Sequence, residues 1–309
     1  MAAILGFGAY LPDRIVTHEA LAAELGVEPS WILEACGIRE RRYAAPDESV
    51  VDLAERAARR CLDAASLPAS RLGGILVGTG TPHRQFPGVS ADLQRRLGTP
   101  AIPAFDVHLA SSGGLIALCL AAELCGRLGP VLVVGAERMS GVIARNMVKE
   151  TAILFGDGAG AAVVTPEAGP LEILDWTWAS DGTFADDLSL SWDGVLQMSG
   201  RTVIMQASRK LAGAVKTLLE RNGRDVGGIG LFLFHQANVN LLRQLGKTLG
   251  IDETRLFMNL ERYGNTSAAS VLIAAAEAWQ QGRLPAGSTA VMAAFGAGFT
   301  HGAMLVRVS

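Results

Sequence analysis

The 309-residue sequence predicts an α/β fold with a largely parallel sheet. Short continuous apolar runs, typical of strands buried on both faces, alternate along the chain with longer segments that have the pattern of helices. This alternation is the mark of α/β proteins. After Pro166 the same order of elements begins again. We therefore expect two similar halves, residues 1–165 and 166–309.

In the first half, strands are predicted from apolar runs and helices from amphipathic spacing and capping residues. The predicted strands are 3–12 (a short strand leading into an irregular loop), 74–80, 102–107, 131–135 and 161–164. The predicted helices are 17–25 with Thr17 as N-cap, 28–35, 49–65, 87–97 and 115–128. Gly6 and Gly8 resemble the start of a dinucleotide-binding motif, but Pro12 falls where its helix should continue, so we reject that reading. The charged run 38–42 is interpreted as a solvated face, part of which could meet a phosphorylated ligand.

In the second half the pattern continues after a long polar segment. The predicted strands are 171–176, 231–234, 289–295 and 303–308, and the predicted helices are 203–222, 240–249 and 267–281. The segment 177–200 is the longest predicted loop and therefore a candidate active-site or interface loop.

Composition and charge restrict the classes of function. Apolar residues make up 50% of the chain and charged residues 18%, which favours a large buried interior. The net charge of −3 and the pI of about 6.0 indicate no basic face for nucleic acid. No apolar run has the roughly 20 residues of a membrane span, and the N-terminus lacks a signal-peptide pattern. We expect a cytoplasmic enzyme that binds neither nucleic acid nor membrane.

The four cysteines indicate neither a metal site nor a disulfide framework. Cys36, Cys61, Cys119 and Cys125 have no zinc-binding spacing and are too few to brace so large a chain. Cys119 and Cys125 lie about 120° apart around one predicted helix, so they are interpreted as separate, inert buried thiols. No metal and no resident cofactor is expected.

A sharp turn between a predicted strand and a predicted helix provides the main candidate for chemistry. The run from Ala104 to Gly114 passes from apolar strand residues through small residues into the helix. A side chain in this turn lies at a helix N-terminus, where free N–H groups and the helix dipole favour negative charge. Acyl-transfer enzymes place a nucleophile in such a corner, and we assign Ser111 to it. The alternative is that Ser111 or Ser112 only caps the helix.

Three other segments could contribute reactive groups. His235 directly follows a predicted buried strand, at the end where parallel sheets bind ligands, but it could also be a structural histidine. Asn265 lies in a Gly-Asn turn that opens a helix, and it could be that helix's N-cap. The glycine loop within 295–302 could offer backbone N–H groups to an oxyanion, or could simply be a tight hairpin.

The order and spacing of these segments resemble the thiolase-like condensing enzymes, specifically β-ketoacyl-acyl-carrier-protein synthase III. The resemblance covers nearly the whole chain. It rests on Trp31 with the run 37–41, and on the runs 103–107, 155–161, 235–238, 263–267 and 295–302. It implies a thiolase-like α/β fold of two βαβαβαββ halves with layered α-β-α-β-α architecture. The half 1–165 would carry the nucleophile position, and the half 166–309 the histidine and asparagine.

The resemblance also implies a two-step reaction. In the family, a cysteine takes an acyl group from acyl-CoA. A histidine and an asparagine, here His235 and Asn265, then assist decarboxylation of malonyl-acyl-carrier protein, and the carbanion attacks the acyl-enzyme. Backbone N–H groups of Ser111 and Ala297 would form the oxyanion hole.

Binding residues are implied in the same way. Trp31, Lys149 and Asn238 would contact CoA. Phe86 would lie at a homodimer interface, near the partner's acyl pocket. Arg243 and Lys247 could attract an acidic carrier protein, although two exposed charges are also common on plain surfaces. These positions would give the chain acyl-CoA, a carrier protein or malonyl thioester, and a second copy of itself as partners.

Several positions depart from the family pattern. Ala35 stands where an arginine near the CoA adenine is usual, which leaves Trp31 as the remaining candidate for stacking on adenine. Asn240 and Met205 replace basic residues that help to dock carrier protein, and Lys149 replaces an arginine. The contacts to CoA and to carrier protein are therefore expected to be altered.

The most important departure is Ser111 itself, because the family cysteine aligns with this position. A thiol has a pKa near ~8.5 that a helix N-terminus lowers further, whereas a serine hydroxyl needs an adjacent general base. Three explanations follow. Ser111 is a laboratory Cys→Ser change that traps substrate in a condensing enzyme; the protein is a natural serine-dependent starter-unit acyltransferase of polyketide or specialised-metabolite biosynthesis, with His235 as base; or it is a non-catalytic partner subunit.

Overall fold

A nine-stranded mixed sheet runs through the protein. The computed structural model describes residues 2–145 and 147–309. Along the sheet the strands have the order β11-β12-β13-β8-β1-β7-β6-β4-β5, and two short hairpins, β2–β3 and β9–β10, lie outside it. The strands are β1 Ala2–Tyr10, β2 Arg14–Thr17, β3 Glu40–Tyr43, β4 Gly74–Gly78, β5 Ala104–Val107, β6 Val131–Glu137, β7 Gly158–Thr165, β8 Leu171–Ala179, β9 Leu188–Leu190, β10 Leu196–Met198, β11 Leu231–Phe234, β12 Thr289–Phe295 and β13 His301–Val308.

The α-helices connect and cover these strands. They are α1 His18–Leu25, α2 Pro29–Cys36, α3 Val50–Ala64, α4 Val89–Leu97, α5 Gly113–Leu128, α6 Met139–Ile143, α7 Lys149–Ala152, α8 Gly200–Arg221, α9 Val239–Leu249, α10 Leu260–Tyr263 and α11 Ser270–Gln280. The predicted N-cap Thr17 is confirmed, because its side chain accepts the N–H of Ala20. Three 3₁₀ turns, Ala110–Ser112, Ser267–Ala269 and Ala297–Phe299, occupy the corners where reactive groups are predicted.

The expectation of a largely parallel sheet is wrong. Only the pairs β4–β5, β4–β6 and β11–β12 are parallel among the described strands, and the other neighbouring pairs of the large sheet are antiparallel. The sequence signal misled because antiparallel strands such as β7 are also covered on both faces. Strand β7 is buried at every residue, so its apolar run is as continuous as that of a parallel strand.

The helices form separate layers around the two arms of the sheet. The first arm consists of β1 and β4–β7, and the second arm consists of β8 and β11–β13. The apolar helices α5 and α11 pack in one central core with residues from both arms. Helices α3 and α4 cover the outer face of the first arm, and α8 and α9 cover the outer face of the second arm. The predicted layering of helix, sheet, helix, sheet and helix is therefore confirmed, whereas the division into two units at residue 165 stays a prediction.

Helix α5 has an unexpected property for a core helix. By length and composition the segment Ala110–Leu128, with a mean hydropathy of 1.3, could cross a membrane, which the sequence analysis did not anticipate. In the structure, 61% of this window is buried inside the protein. The apolar residues of α5 are therefore explained by packing in the central helix layer.

The segment 177–200 is more ordered than the predicted loop. Strand β8 extends into it, a 3₁₀ turn covers Gly182–Asp187, and β9 and β10 form a hairpin before α8 begins at Gly200. Apolar residues of this hairpin line the cavity that is described below.

All four cysteines are free and buried, and the burial predicted for Cys119 and Cys125 is confirmed. Burial raises the pKa of Cys61 to about 12 and also raises that of Cys119. Both thiols are therefore protonated and unreactive at neutral pH.

The charged run 38–42 is only partly a solvated face, because Arg39 is exposed but Arg41 is completely buried. Its Nη2 donates to the carbonyl of Ile153 at 2.8 Å, and its Nη1 donates to the carbonyl of Val16 at 3.4 Å. Its Cβ lies in the space beside Gly156 and Gly264. Arg41 thus ties strand β3 to the chain segments that carry Asn265, a role that a local charge pattern does not reveal.

We expect Arg41→Ala to lower the free energy of unfolding by about 2–4 kcal/mol, because it leaves a cavity and two unpaired buried carbonyl groups. Denaturant unfolding followed by circular dichroism measures the loss. The control is Arg39→Ala, which removes an exposed ion pair with Glu261 and should cost less than about 1 kcal/mol. Equal losses in the two variants would contradict the structural role of Arg41.

Candidate active site

Ser111 occupies the corner between β5 and α5. The residue before it, Ala110, has a φ of 46°, so the backbone is turned into the left-handed region immediately before the candidate nucleophile. The Ser111 hydroxyl donates a hydrogen bond to Oγ of Ser267 at 3.3 Å. Ser112 is buried and its hydroxyl donates back to the carbonyl of Leu109, and it makes no side-chain cap of α5. The interpretation of this serine pair as a helix cap is therefore wrong for Ser112, and Ser111 points its hydroxyl to the 267 turn.

His235 follows β11 and is almost completely buried. Its backbone N–H continues the sheet by donating to the carbonyl of Ala293, which places the ring at the end of the strand. Nδ1 lies 2.5 Å from Oγ of Ser270, and this oxygen also accepts the N–H of Gln236. Because Ser270 already accepts one hydrogen bond, its own proton can go to Nδ1, which leaves the ring proton on Nε2. Burial lowers the pKa of His235 to about 3, so the ring is neutral at physiological pH.

Asn265 is held by both its backbone and its side chain. It forms an isolated parallel bridge with Phe155, in which its N–H donates to Leu154 and its carbonyl accepts from Gly156. Its Oδ1 accepts the N–H of Ser267 at 2.8 Å. The side chain therefore closes the turn before α11 instead of capping the α-helix itself. With Oδ1 occupied, the Nδ2 group is the part of the amide left to serve a ligand.

Ser111, His235 and Asn265 line one cavity of about 150 Å³. Ala297 lies in the hairpin loop between β12 and β13 and lines the same cavity, so this loop is a hairpin that also reaches the site. Most of the remaining wall is apolar: Leu154, Phe155, Leu188, Leu190, Leu196, Met198, Val203, Ile204, Leu211, Leu241, Leu242, Leu245 and Phe295. The catalytic and oxyanion roles of the lining residues stay predictions, but their position in one cavity is what those roles require.

Sequence reasoning gave no role to three polar residues of this cavity, Glu137, Ser189 and Ser267. Glu137 ends strand β6 and is completely buried, where it accepts hydrogen bonds from the N–H of Gly80 at 2.9 Å and the hydroxyl of Thr81 at 2.6 Å. Burial is the main cause that raises its pKa. A carboxylate that follows six apolar strand residues was the sequence signal, because such a residue must lie at the ligand-binding end of the strand.

The three predicted CoA contacts gather around helix α2. Nζ of Lys149 lies 5.8 Å from the centre of the Trp31 ring. Asn238 caps α9 by accepting the N–H groups of Asn240 and Leu241, and its Nδ2 donates to the carbonyl of Ala35. Its polar atoms are therefore already engaged in the structure, although it also lines the cavity.

The other predicted binding residues lie on the surface. Phe86 is 82% exposed, an unusual state for an aromatic side chain in a single chain. Arg243 and Lys247 are exposed on α9, with Nε of Arg243 3.9 Å from a carboxylate oxygen of Glu253. Within residues 2–145 and 147–309, no group of three or more His, Cys, Asp or Glu side chains could hold a metal ion.

Comparison with known proteins identifies the relatives of this chain. Residues 105–182 match the family described as 3-oxoacyl-(acyl-carrier-protein) synthase III, and residues 219–308 match its C-terminal domain. The chain is 39% identical to β-ketoacyl-(acyl-carrier-protein) synthase III of Desulfotalea psychrophila, with 98% of each chain covered. It is 35% identical to the enzyme of the same name from Aquifex aeolicus, again with 98% of each chain covered.

Solved structures agree with this result. The crystal structure of 3-oxoacyl-(acyl-carrier-protein) synthase III from Aquifex aeolicus superimposes with a TM-score of 0.94 at 34% identity, covering 99% of this chain and 100% of that one. The priming β-ketosynthase of the R1128 polyketide biosynthetic pathway superimposes with a TM-score of 0.91 at 32% identity, covering 100% and 97%. The predicted thiolase-like fold class is confirmed.

The low pKa of His235 predicts an effect on stability at acidic pH. The unfolded chain binds a proton on this ring below about pH 6.5, whereas the folded protein does not do so until about pH 3. Protons therefore favour the unfolded state between these values, and the free energy of unfolding should fall by up to about 1.4 kcal/mol for each unit of decreasing pH from this residue alone. Urea unfolding at a series of pH values between 4 and 6 measures how the free energy of unfolding depends on pH. In His235→Gln this dependence should be weaker by the contribution of about one proton. An unchanged slope would show that the ring is protonated in the folded state.

Proposed function

The chain belongs to the 3-oxoacyl-(acyl-carrier-protein) synthase III family, also called β-ketoacyl-acyl-carrier-protein synthase III, and we propose how its own residues perform that condensation. The protein is an acyl-transferring enzyme of this type. In the proposal, Ser111 takes an acyl group from acyl-CoA and then gives it to a carbanion derived from a malonyl thioester. The observation that carries the proposal is the common cavity of Ser111, His235 and Asn265 at the ends of the strands.

In the first step the Ser111 hydroxyl attacks the thioester carbonyl. A new Oγ–C bond forms, the C–S bond breaks, and CoA leaves. The negative charge on the carbonyl oxygen is stabilised by the backbone N–H groups of Ser111 and Ala297, next to the N-terminus of α5. What supports this assignment is that both residues line the cavity and that α5 begins two residues after Ser111.

In the second step His235 and Asn265 act on the malonyl thioester. Nδ1 of His235 is engaged by Ser270 and Oδ1 of Asn265 by Ser267, so each side chain can offer an N–H donor to the cavity. Two neutral donors on the thioester oxygen stabilise the enolate that remains when CO₂ is lost. Because His235 stays neutral, it can donate this hydrogen bond without protonating the carbanion.

Recognition of the substrates is proposed for three surfaces. Trp31 stacks on the adenine of CoA, with Lys149 beside it for phosphate and Asn238 at the cavity wall. Arg243 and Lys247 attract an acidic carrier protein. The exposed Phe86 is covered by a second copy of the chain in a homodimer, near the partner's acyl pocket. The reaction needs no resident cofactor, because the CoA thioester brings the activated acyl group, and we place it in the cytoplasm.

A second candidate function is a serine-dependent acyltransferase that supplies starter units in polyketide biosynthesis. The similarity to a priming ketosynthase and the presence of serine at position 111 favour it. An ester on serine is a poorer acyl donor to a carbanion than a thioester on cysteine. In that case Ser111 would still be acylated, but the acyl group would pass to a carrier thiol without formation of a carbon–carbon bond.

Substitutions of Ser111 separate these functions. Incubation of the parent chain with acyl-CoA should produce an adduct of the acyl mass on Ser111 in intact mass spectrometry, and Ser111→Ala should produce none. Ser111→Cys should be acylated faster and should release CO₂ from malonyl thioesters, because a thiolate forms without a strong base.

Other outcomes of these experiments would contradict one or other of the proposed functions. Full transfer activity in Ser111→Ala would remove the acyl-serine mechanism. Absence of malonyl decarboxylation in Ser111→Cys would remove condensation. Acylation of the parent without condensation would favour the starter-unit acyltransferase, and a chain with no turnover of its own would favour a partner subunit.

Removal of the indole ring tests the CoA site. Trp31→Ala should raise the KM for acyl-CoA about tenfold, since loss of stacking on one base costs about 1–3 kcal/mol. The same variant should use acyl-N-acetylcysteamine, which lacks the nucleotide, as well as the parent does. Trp178→Ala, a partly exposed tryptophan on β8, is the matched control. If Trp31→Ala lost activity with both acyl-CoA and acyl-N-acetylcysteamine, Trp31 would have a structural role and not a role in CoA recognition.

A further inference from the structure

A serine nucleophile needs a partner that accepts its proton, and the structure offers one other than His235. The hydroxyl of Ser111 donates to Ser267, at 3.3 Å. The ring of His235 is engaged at Nδ1 by Ser270, and its pKa of about 3 makes it a weak base at neutral pH. His235 is the base expected for a natural serine-dependent enzyme, whereas this geometry directs the proton of Ser111 to Ser267.

Ser267 is itself buried and held in one orientation. Its φ is 47°, and its N–H is fixed by Oδ1 of Asn265. This turn brings the next residue, Ala268, against the carboxylate of Glu137, whose Oε1 accepts the Ala268 N–H at 3.4 Å. An interaction with the Ser267 side chain is also among the causes that lower the pKa of the Glu137 carboxyl, against the larger effect of burial. Ser111, Ser267 and Glu137 all line the same cavity.

Glu137 has the properties of a proton acceptor in this position. It is completely buried, and the N–H of Gly80 and the hydroxyl of Thr81 stabilise its ionised form. Burial opposes them and raises the pKa of this carboxyl above its ordinary value. A carboxylate with a raised pKa is a stronger base, as a reaction near neutral pH requires.

We propose that Ser267 relays the proton of Ser111 to Glu137 when the acyl group is transferred from CoA. The inference rests on the proposed function, because it concerns how Ser111 becomes a nucleophile. Ser267 contacts the reacting oxygen and is the catalytic residue of the pair. Glu137 acts through Ser267 and holds the proton.

The proton is conserved through the two steps. In acylation, Ser111 Oγ forms a bond to the acyl carbon and gives its proton to Ser267, Ser267 gives its own proton to Glu137, and the CoA thiolate takes a proton from solvent. In condensation, loss of CO₂ leaves the carbanion, which attacks the acyl carbon and expels the Ser111 alkoxide. Glu137 then returns its proton through Ser267 to Ser111, which restores the starting state.

The test compares the relay variants with two different nucleophiles. Glu137→Gln and Ser267→Ala are each made in the parent chain and in Ser111→Cys, and single-turnover acylation by acyl-CoA is followed by intact mass spectrometry. In the parent we expect each variant to slow acylation on the order of 100-fold or more, the usual contribution of general base catalysis. In Ser111→Cys the loss should be less than about tenfold, since the thiol ionises without the relay. Glu137→Asp should restore part of the rate in the parent.

Controls separate this role from a structural one. Glu48→Gln changes another buried glutamate, which forms hydrogen bonds with Tyr10 and Arg56 and does not line the cavity. This variant should leave the rate of acylation unchanged. Thermal unfolding of each variant checks that it folds, and Ser267→Ala carries the test if Glu137→Gln does not fold. Equal losses with serine and cysteine at position 111, or no loss with serine, would overturn the relay. Absence of any adduct on Ser111 in the parent would overturn the proposed function, and the relay with it.

Discussion

The close approach of the 265–269 segment to the backbone of α5 and β6 is the constraint on which the site depends. A Cβ atom at Gly114 would lie 2.2 Å from the carbonyl oxygen of Ala268, and one at Gly135 would lie 2.3 Å from the same atom. No side chain can occupy these positions without a backbone shift. Because both are glycine, the turn that carries Asn265 and Ser267 can reach the corner that carries Ser111, although the two segments are more than 150 residues apart in sequence.

Backbone strain is concentrated around the same point. Among the described residues, four that are not glycine have a positive φ, and three of them, Ala110, Ser267 and Phe299, belong to the turns around the cavity. Gly296 adds a second close approach, since a Cβ there would lie 2.4 Å from the carbonyl oxygen of Leu109. Such conformations persist only where the surrounding structure holds them. Here the buried layers on both sides of the sheet supply that support, and the strained turns present hydroxyl, amide and N–H groups to one space.

The sequence predicts the parts of this arrangement that depend on local pattern. Strands β11 and β12 have the predicted bounds, because a continuous apolar run is sufficient to identify a buried strand. The burial of Arg41 and the antiparallel direction of β7 depend on segments far away in the chain, and local pattern cannot report them. Order and spacing predict Ser111, His235 and Asn265 as site residues, and the structure brings the three to one cavity.

Contacts with distant segments also explain why local pattern does not identify Glu137 and Ser267 as relay residues. Glu137 acquires its role from Gly80, Thr81 and the 267 turn, none of which is its neighbour in sequence. In the cavity the imidazole of His235 and the amide of Asn265 are neutral, and most of the wall is apolar. Glu137 is a buried carboxyl group in the same cavity. The neutral imidazole of His235 and the amide of Asn265 are weak acids, and the apolar residues of hairpin β9–β10 line part of the wall, so both features favour the survival of a carbanion. A serine nucleophile, however, must lose a proton in this space and recover it later. In the proposed relay, Glu137 takes up this proton during acylation and returns it through Ser267 after the carbanion has attacked the acyl carbon.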